Sequence, residues 1–215
     1  MTSQFNQLPT ISLFFLLGLV PLIVVMTTSF TKFSIVLTLL RSALGVQQAP
    51  SNLMISGLAL SATLVVMAPT LTKIEEALSF EERLESGNLP GPLEVMEAVR
   101  GPLGDFLLKH SRADERAFLV SAAKRIDRER DARETDFSLL VPAFLISEIS
   151  SGFEAGFLLY IAFLVIDLVV ANVLTAMGMV MLSPSTVSIP LKLFVLVSVS
   201  GISNLVHGLI ISYAQ

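Results

Sequence analysis

Few residues in this chain could do covalent or proton chemistry, and their spacing argues against it. There are two histidines, His110 and His207, on different segments, and no cysteine. Thiolate chemistry, disulfides and cysteine-based metal sites are thereby excluded. No His-Glu-x-x-His, Gly-x-Ser-x-Gly or phosphate-binding Gly-Lys-Ser/Thr loop occurs. The paired acids Glu75-Glu76 and Glu81-Glu82 lie in a charged stretch and read as a solvated helix face. No catalytic site, cofactor or metal site is expected, and the chain is read as a non-enzyme.

One carboxylate stands apart. Asp167 is the only charge in the apolar run Phe157–Leu182. With Ala171, Thr175 and Gly178 it falls on one helical face. An acid in such a run can serve an ion or proton relay. The alternative is a packed acid paired with a hydroxyl, an amide or Lys192, and it is preferred because a relay needs several titratable groups in line. Glu148 and Asn204 are further polar residues expected to be buried in packing. Gly201, Asn204, Gly208 and Ser212 form a second small-polar stripe, suited to a water-lined face or to close helix packing. Gly57 and Ser61 make a weaker small-xxx-small pair. His110 is expected near a helix end, and His207 as a packed, neutral ring. Met177, Met179 and Met181 crowd the end of the third run beside Ser183-Pro184-Ser185. Methionine there is apolar filler or a compliant gasket, since its side chain is unbranched and repacks around varied shapes.

The elements that must position these residues sort by charge. Of 32 Lys, Arg, Asp and Glu residues, 26 lie between Lys73 and Asp136. Only Lys32, Arg41, Glu148, Glu154, Asp167 and Lys192 lie outside. The net charge of −4 belongs to the block, and no basic stripe offers itself to nucleic acid. Mean hydropathy is +0.76, an integral-membrane value. Four runs have the roughly 20 apolar residues a bilayer crossing needs: Ile11–Phe30, Leu53–Leu71, Phe157–Leu182 and Leu191–Tyr213. A fifth, Phe137–Ile149, is too short to span and is expected as a broken segment, interrupted around Ser150-Ser151-Gly152. The first two runs are joined by a loop, Thr31–Asn52, with the turn Ala49-Pro50-Ser51-Asn52. The last two form an antiparallel hairpin.

Three regions follow: an apolar helical hairpin over 1–72, a charged amphipathic helical block over 73–136, and a C-terminal broken helix with an apolar hairpin over 137–215. In the block, Leu71, Ile74 and Leu78 form one stripe, ending at Ser86-Gly87-Asn88-Leu89-Pro90. Leu103, Phe106 and Leu107 form another. Ser111 with Asp114 resembles a capping box. It would open a helix burying Phe118, Leu119, Ala122, Ala123 and Ile126. Glu129–Arg133 and Arg130–Glu134 would be i,i+4 pairs on its surface. No basic n-region precedes the first run, so that run is read as retained. Basic residues in the short loops turn those loops to the cytoplasm, leaving the block and both termini outside.

Several stretches resemble the FliP/SctR family of flagellar and injectisome type III secretion. They are Ser29-Phe30-Thr31-Lys32 through Leu40-Arg41-Ser42-Ala43-Leu44-Gly45 to Gln47-Gln48-Ala49-Pro50; Pro142-Ala143-Phe144-Leu145-Ile146-Ser147-Glu148-Ile149 with Gly152-Phe153; Phe163-Leu164-Val165-Ile166-Asp167; and Met177-Gly178-Met179-Val180-Met181 on to Pro190-Leu191-Lys192-Leu193. Asp105-Phe106-Leu107-Leu108-Lys109 is similar too. The likeness covers most of the chain in order. Ala162 departs from it where proline is usual, and Val180 interrupts a methionine triplet.

The resemblance implies an all-α fold of integral-membrane-type helical hairpins with an inserted charged block, assembling into a ring-like pore complex. It implies about five copies joined by two other small export-apparatus membrane proteins, in the bacterial inner membrane with much of the assembly on the periplasmic side. Unfolded secreted polypeptides would pass through it, membrane lipid would surround it, and Met177, Met179 and Met181 would line the constriction. The chain's start and length lean toward the injectisome branch. The competing reading is a small ion-coupled secondary transporter using Asp167.

Overall fold

The computed structural model describes residues 8–46, 49–79, 83, 90–129, 131–179 and 181–214. The described residues form eight α-helices and no strand. They are α1 (Leu8–Thr27), α2 (Phe30–Leu44), α3 (Asn52–Leu78), α4 (Pro92–His110), α5 (Ala113–Ile126), α6 (Phe137–Ala176), α7 (Pro184–Ser198) and α8 (Gly201–Ile211). Two of them, α3 and α6, are long and apolar enough to cross a membrane. The count rises to four if the bent pairs α1–α2 and α7–α8 each make one span.

The bends have local causes. Between α1 and α2 the axis turns by 79°. A helix end leaves its last carbonyls open. Here the hydroxyls of Thr28 and Thr31 donate to the carbonyls of Val24 and Val25, both at 2.6 Å. Thr27 donates back to Ile23 at 2.7 Å. Between α7 and α8 the turn is 58°. Ser200 adopts a left-handed φ of 49° there, and the Asn204 amide donates to the Val199 carbonyl at 2.8 Å. Gly201 follows because a Cβ would lie 2.6 Å from Leu196 Cδ1 and 3.0 Å from its carbonyl oxygen.

Three expectations fail on the same elements. The stretch Phe137–Ile149 and the third run are one unbroken 40-residue helix, about 60 Å long. Pro142 lies within its first two turns, where a missing N–H disturbs little of the ladder. The segment Thr31–Asn52 is helix α2 through Leu44 rather than a loop. The boundary drawn between residues 72 and 73 falls inside α3, which runs on to Leu78.

Gly152, expected at a break, and Gly156 are points of close approach. A Cβ on Gly152 would sit 3.2 Å from Ile35 Cβ and 3.4 Å from Lys32 Cα. On Gly156 it would sit 2.3 Å from Leu39 Cδ1 and 3.0 Å from Leu39 Cβ. The two glycines, four apart, let α6 lie against the Lys32–Ile35–Leu39 face of α2. That seam is the most extensive helix contact among the described residues. The main core forms beside it, from Phe33, Val36, Ala59, Leu107, Leu140 and Phe144.

Polar ties add to the apolar packing between the charged block and α6. Arg112 Nη2 reaches both Glu154 oxygens at 2.7 Å, and the Arg112 amide donates to Ser147 Oγ at 2.9 Å. Arg116 donates to the Leu108 carbonyl at 3.2 Å and to the Ser111 carbonyl, closing the end of α4, and pairs with Glu134 at 3.0 Å. The Ser111–Asp114 capping box does not form: the Ser111 hydroxyl bonds back to Leu108, and Arg112 occupies the cap. Helix α5 buries Ala123, but Phe118 and Ile126 are exposed. It ends at Ile126, so Glu129 and Arg133 share no helix turn, and Arg133 instead holds Asp131. Glu81, Glu82, residues 86–89, Arg130, Gln47, Gln48 and Val180 lie outside the described residues.

Candidate functional site

The methionines sit where α6 turns into α7. Gly178 adopts φ 74°, which glycine tolerates without steric cost. The Met179 amide bonds to the Leu174 carbonyl at 3.0 Å, five residues back, closing α6 in a Schellman-type cap. The chain then reverses within a few residues and α7 starts at Pro184, with Ser183 and Ser185 hydroxyls 2.8 Å apart. This tight turn thrusts the methionines outward. Met177 is 68% exposed, Met179 42%, and Met181 fully exposed.

Roughly two and a half turns below, α6 and α7 share a charge pair. Lys192 Nζ donates to Asp167 Oδ2 at 2.6 Å and to the Ala43 carbonyl of α2 at 2.8 Å. Lys192 is 3% exposed, whereas the Asp167 side chain is 39% exposed. Buried Ser188 lies beside them. The pair borders an open cleft of about 380 Å³ shared by α2, α6 and α7. Its geometry ties three helices together. Among the described residues no second carboxylate lines that cleft.

Glu148 is 3% exposed and takes a hydrogen bond from the Tyr213 hydroxyl. The tyrosine ring stacks on Phe33 and Phe106 and meets His110 edge-on, 5.1 Å between centroids. Lys32 Nζ stands 4.5 Å over the same ring and donates to Ser212 Oγ at 3.0 Å. The segment after α8 thus plugs the junction of α2, α4 and α6. His110 ends α4, as expected. Burial, and secondarily the charges of Lys109 and Lys32, push its imidazole down to about 4 from 6.5.

Asn204 does not pack in the interior: it is exposed and serves the α7–α8 bend. His207 is exposed as well. Tyr213 and the Gly152/Gly156 seam were missed in the sequence. The glycine spacing was a readable signal. No local pattern connects Tyr213 to Glu148, 65 residues away. Among the described residues no group of three His, Asp or Glu side chains could hold a metal ion.

Interrupted apolar helices, buried polar ties between them and an outward methionine turn define a helical membrane component that builds something, not a catalyst. The chain belongs to the FliP family, whose pattern it matches over residues 13–209, and is a structural component of the type III secretion export apparatus. It is 44% identical over 201 residues to Yop proteins translocation protein R of Yersinia pestis, covering 92% of each chain. It is 43% identical over 201 residues to pathogenicity-related ORF2 of Xanthomonas campestris pv. glycines, covering 92% of this chain and 93% of that protein. Flagellar biosynthetic protein FliP of Caulobacter vibrioides is 44% identical over 205 residues, 95% of this chain and 76% of that protein.

Proposed function

We propose that this chain is a channel-forming subunit of a type III export gate, through which unfolded polypeptides cross the bacterial inner membrane. About five copies join two other small export-apparatus membrane proteins in a ring. Much of the ring stands on the periplasmic side. The side chains of Met177, Met179 and Met181 close the resting conduit.

The observation that carries this reading is the methionine turn. Three flexible, apolar side chains lie at the capped end of a 40-residue helix, Met181 fully exposed, Met177 mostly so and Met179 in part. Exposed apolar side chains grouped this way mark a contact surface. Brought together around an axis, thioethers can exclude water and ions yet repack as a chain passes. The Asp167–Lys192 pair then fixes the angle between α6 and α7, on which the aim of the turn depends.

The test is ion leak through the assembled, resting complex in a planar bilayer. Replacing Met177, Met179 and Met181 together with alanine should raise resting conductance severalfold while the complex still assembles. Conductance equal to that of the unaltered complex would remove the seal.

A further inference from the structure

Six charges lie outside the charged block, and five have an opposite charge close by. Lys192 holds Asp167, Glu154 holds Arg112, and Lys32 and Glu148 meet around Tyr213, the cation over its ring and the carboxylate on its hydroxyl. Arg41 is the exception. Its Nη1 donates to the Pro50 carbonyl at 3.2 Å and to Asn52 Oδ1 at 2.6 Å. Both acceptors are neutral. They fix the guanidinium but leave its charge uncompensated, and among the described residues no carboxylate comes within ion-pair distance of it.

Arg41 stands at the rim of a narrow cleft of about 170 Å³ between α2, α3 and α8. The floor is aliphatic, with Leu40, Leu44 and Ile55 each buried. The walls are Met54, Leu58 and Ile202, all exposed. Among the described residues Arg41 is the only charged one lining it. Helix α3, one of the two candidate spans, begins at Asn52 beside the guanidinium, so its positive end faces the same rim. A cation at the mouth of a hydrocarbon trough, at the end of a membrane-length helix, matches the two ends of a lipid.

We propose that Arg41 and this cleft hold one anionic phospholipid, with an acyl chain along Leu40, Leu44 and Ile55 and the phosphate on the guanidinium. The fork geometry of arginine suits two phosphate oxygens at once. An anionic headgroup also supplies a counter-charge that the described residues do not, at the level where α3 begins. Lipid is favoured over a protein partner because the trough is lined almost wholly by aliphatic groups. The site requires only that α3 cross the bilayer; it does not depend on the methionine turn closing a pore.

The full chain, purified in a non-ionic detergent, is titrated with phosphatidylglycerol and separately with phosphatidylcholine, and lipid adducts are counted by native mass spectrometry. Phosphatidylglycerol should bind more tightly. Arg41→Gln should weaken it about five- to tenfold and abolish the preference over phosphatidylcholine, the loss expected for one cation at an anionic surface. Leu58→Trp, which fills the trough from its exposed wall, should weaken both lipids. Lys124→Gln, an exposed cation elsewhere, should weaken neither. Equal affinity of the unaltered chain for the two lipids would overturn the proposal, as would a preference that survives Arg41→Gln. Displacement of the lipid by millimolar inorganic phosphate would show a headgroup site without the trough and overturn it too. So would chain dimers forming in place of lipid adducts and disappearing in Leu58→Trp.

Discussion

Gly156→Ala probes the seam between α2 and α6 with a single methyl group. The new Cβ would lie 2.3 Å from Leu39 Cδ1, 3.2 Å from Cγ and 3.0 Å from Cβ. The Cδ1 methyl can swing aside, but the Leu39 Cβ is tied to the α2 backbone, so the helices must part slightly. Overpacking of this kind costs about 1–3 kcal/mol. Alanine regains about 1 kcal/mol over glycine in a helix interior. The expected net loss is therefore on the order of 1 kcal/mol, reaching about 2 if α2 cannot yield. Gly57 supplies the contrast: it lies within α3 with nothing within 4 Å of its would-be Cβ. There the same substitution should stabilise by about 0.5–1 kcal/mol. Reversible unfolding in mixed micelles of rising denaturing-detergent fraction reads both. Leu39→Ala completes the cycle, because removing the opposing side chain should turn Gly156→Ala from harmful to neutral or favourable. Stabilisation by Gly156→Ala alone, or additive effects in the double variant, would refute close approach as the reason for this glycine.

Asp167→Asn leaves the Lys192 ammonium with neutral acceptors alone, the Ala43 carbonyl among them. Breaking a fully buried pair costs about 3–5 kcal/mol, and partial solvent access at Asp167 lowers the expected loss to about 1–3. Glu154→Gln, at the exposed pair, should cost under about 1 kcal/mol, so equal thermal shifts for the two would contradict the assignment. The His110 imidazole favours its neutral form in the fold, held down at about 4 against 6.5 unfolded. Its contribution to stability is therefore complete above pH 6.5 and declines as pH falls toward 4, where the unfolded chain binds the extra proton. His110→Phe keeps the ring contact and should show a shallower decline in melting temperature between pH 7 and 4.5; parallel curves would rule the effect out. Tyr213→Phe leaves the buried Glu148 without its hydroxyl donor and should cost about 1–3 kcal/mol in the same unfolding assay. An unchanged midpoint would show that the plug relies on ring stacking alone.

Helix class and membrane character were readable because hydrocarbon excludes charge, and the six outlying charges are few enough to count. Asp167 and Lys192 could be named as partners because an acid and a base in neighbouring apolar runs have few other places to go. Element boundaries were less readable. A 40-residue helix containing Pro142, Ser150, Ser151, Gly152 and Gly156 looks broken by propensity, yet packing against α2 makes those small residues assets. Thr31–Asn52 looked like a loop because two basic residues interrupt it. In the fold, Lys32 finds Tyr213 and Arg41 finds the Asn52 turn, so α2 need not stop for either. Asn204 and Phe118 were assigned to the interior by pattern, and one chain alone leaves them at the surface.

Helix α6 is about twice as long as the hydrocarbon layer, near 60 Å against roughly 30 Å. Its N-terminal half carries the charged arm through Ser147 and Glu154; its C-terminal end carries the methionines. Gly152 and Gly156 lie between, where Ile35 and Leu39 of α2 seat against the helix. A displacement of the arm would tilt the stiff rod about that seat. From Gly156 to Ala176 the rod extends about 30 Å, so a tilt of only about 5° sweeps its tip by close to 3 Å, nearly the width of a methyl group. Mechanical gearing between the wet arm and the turn at the far end is built into the length of one helix.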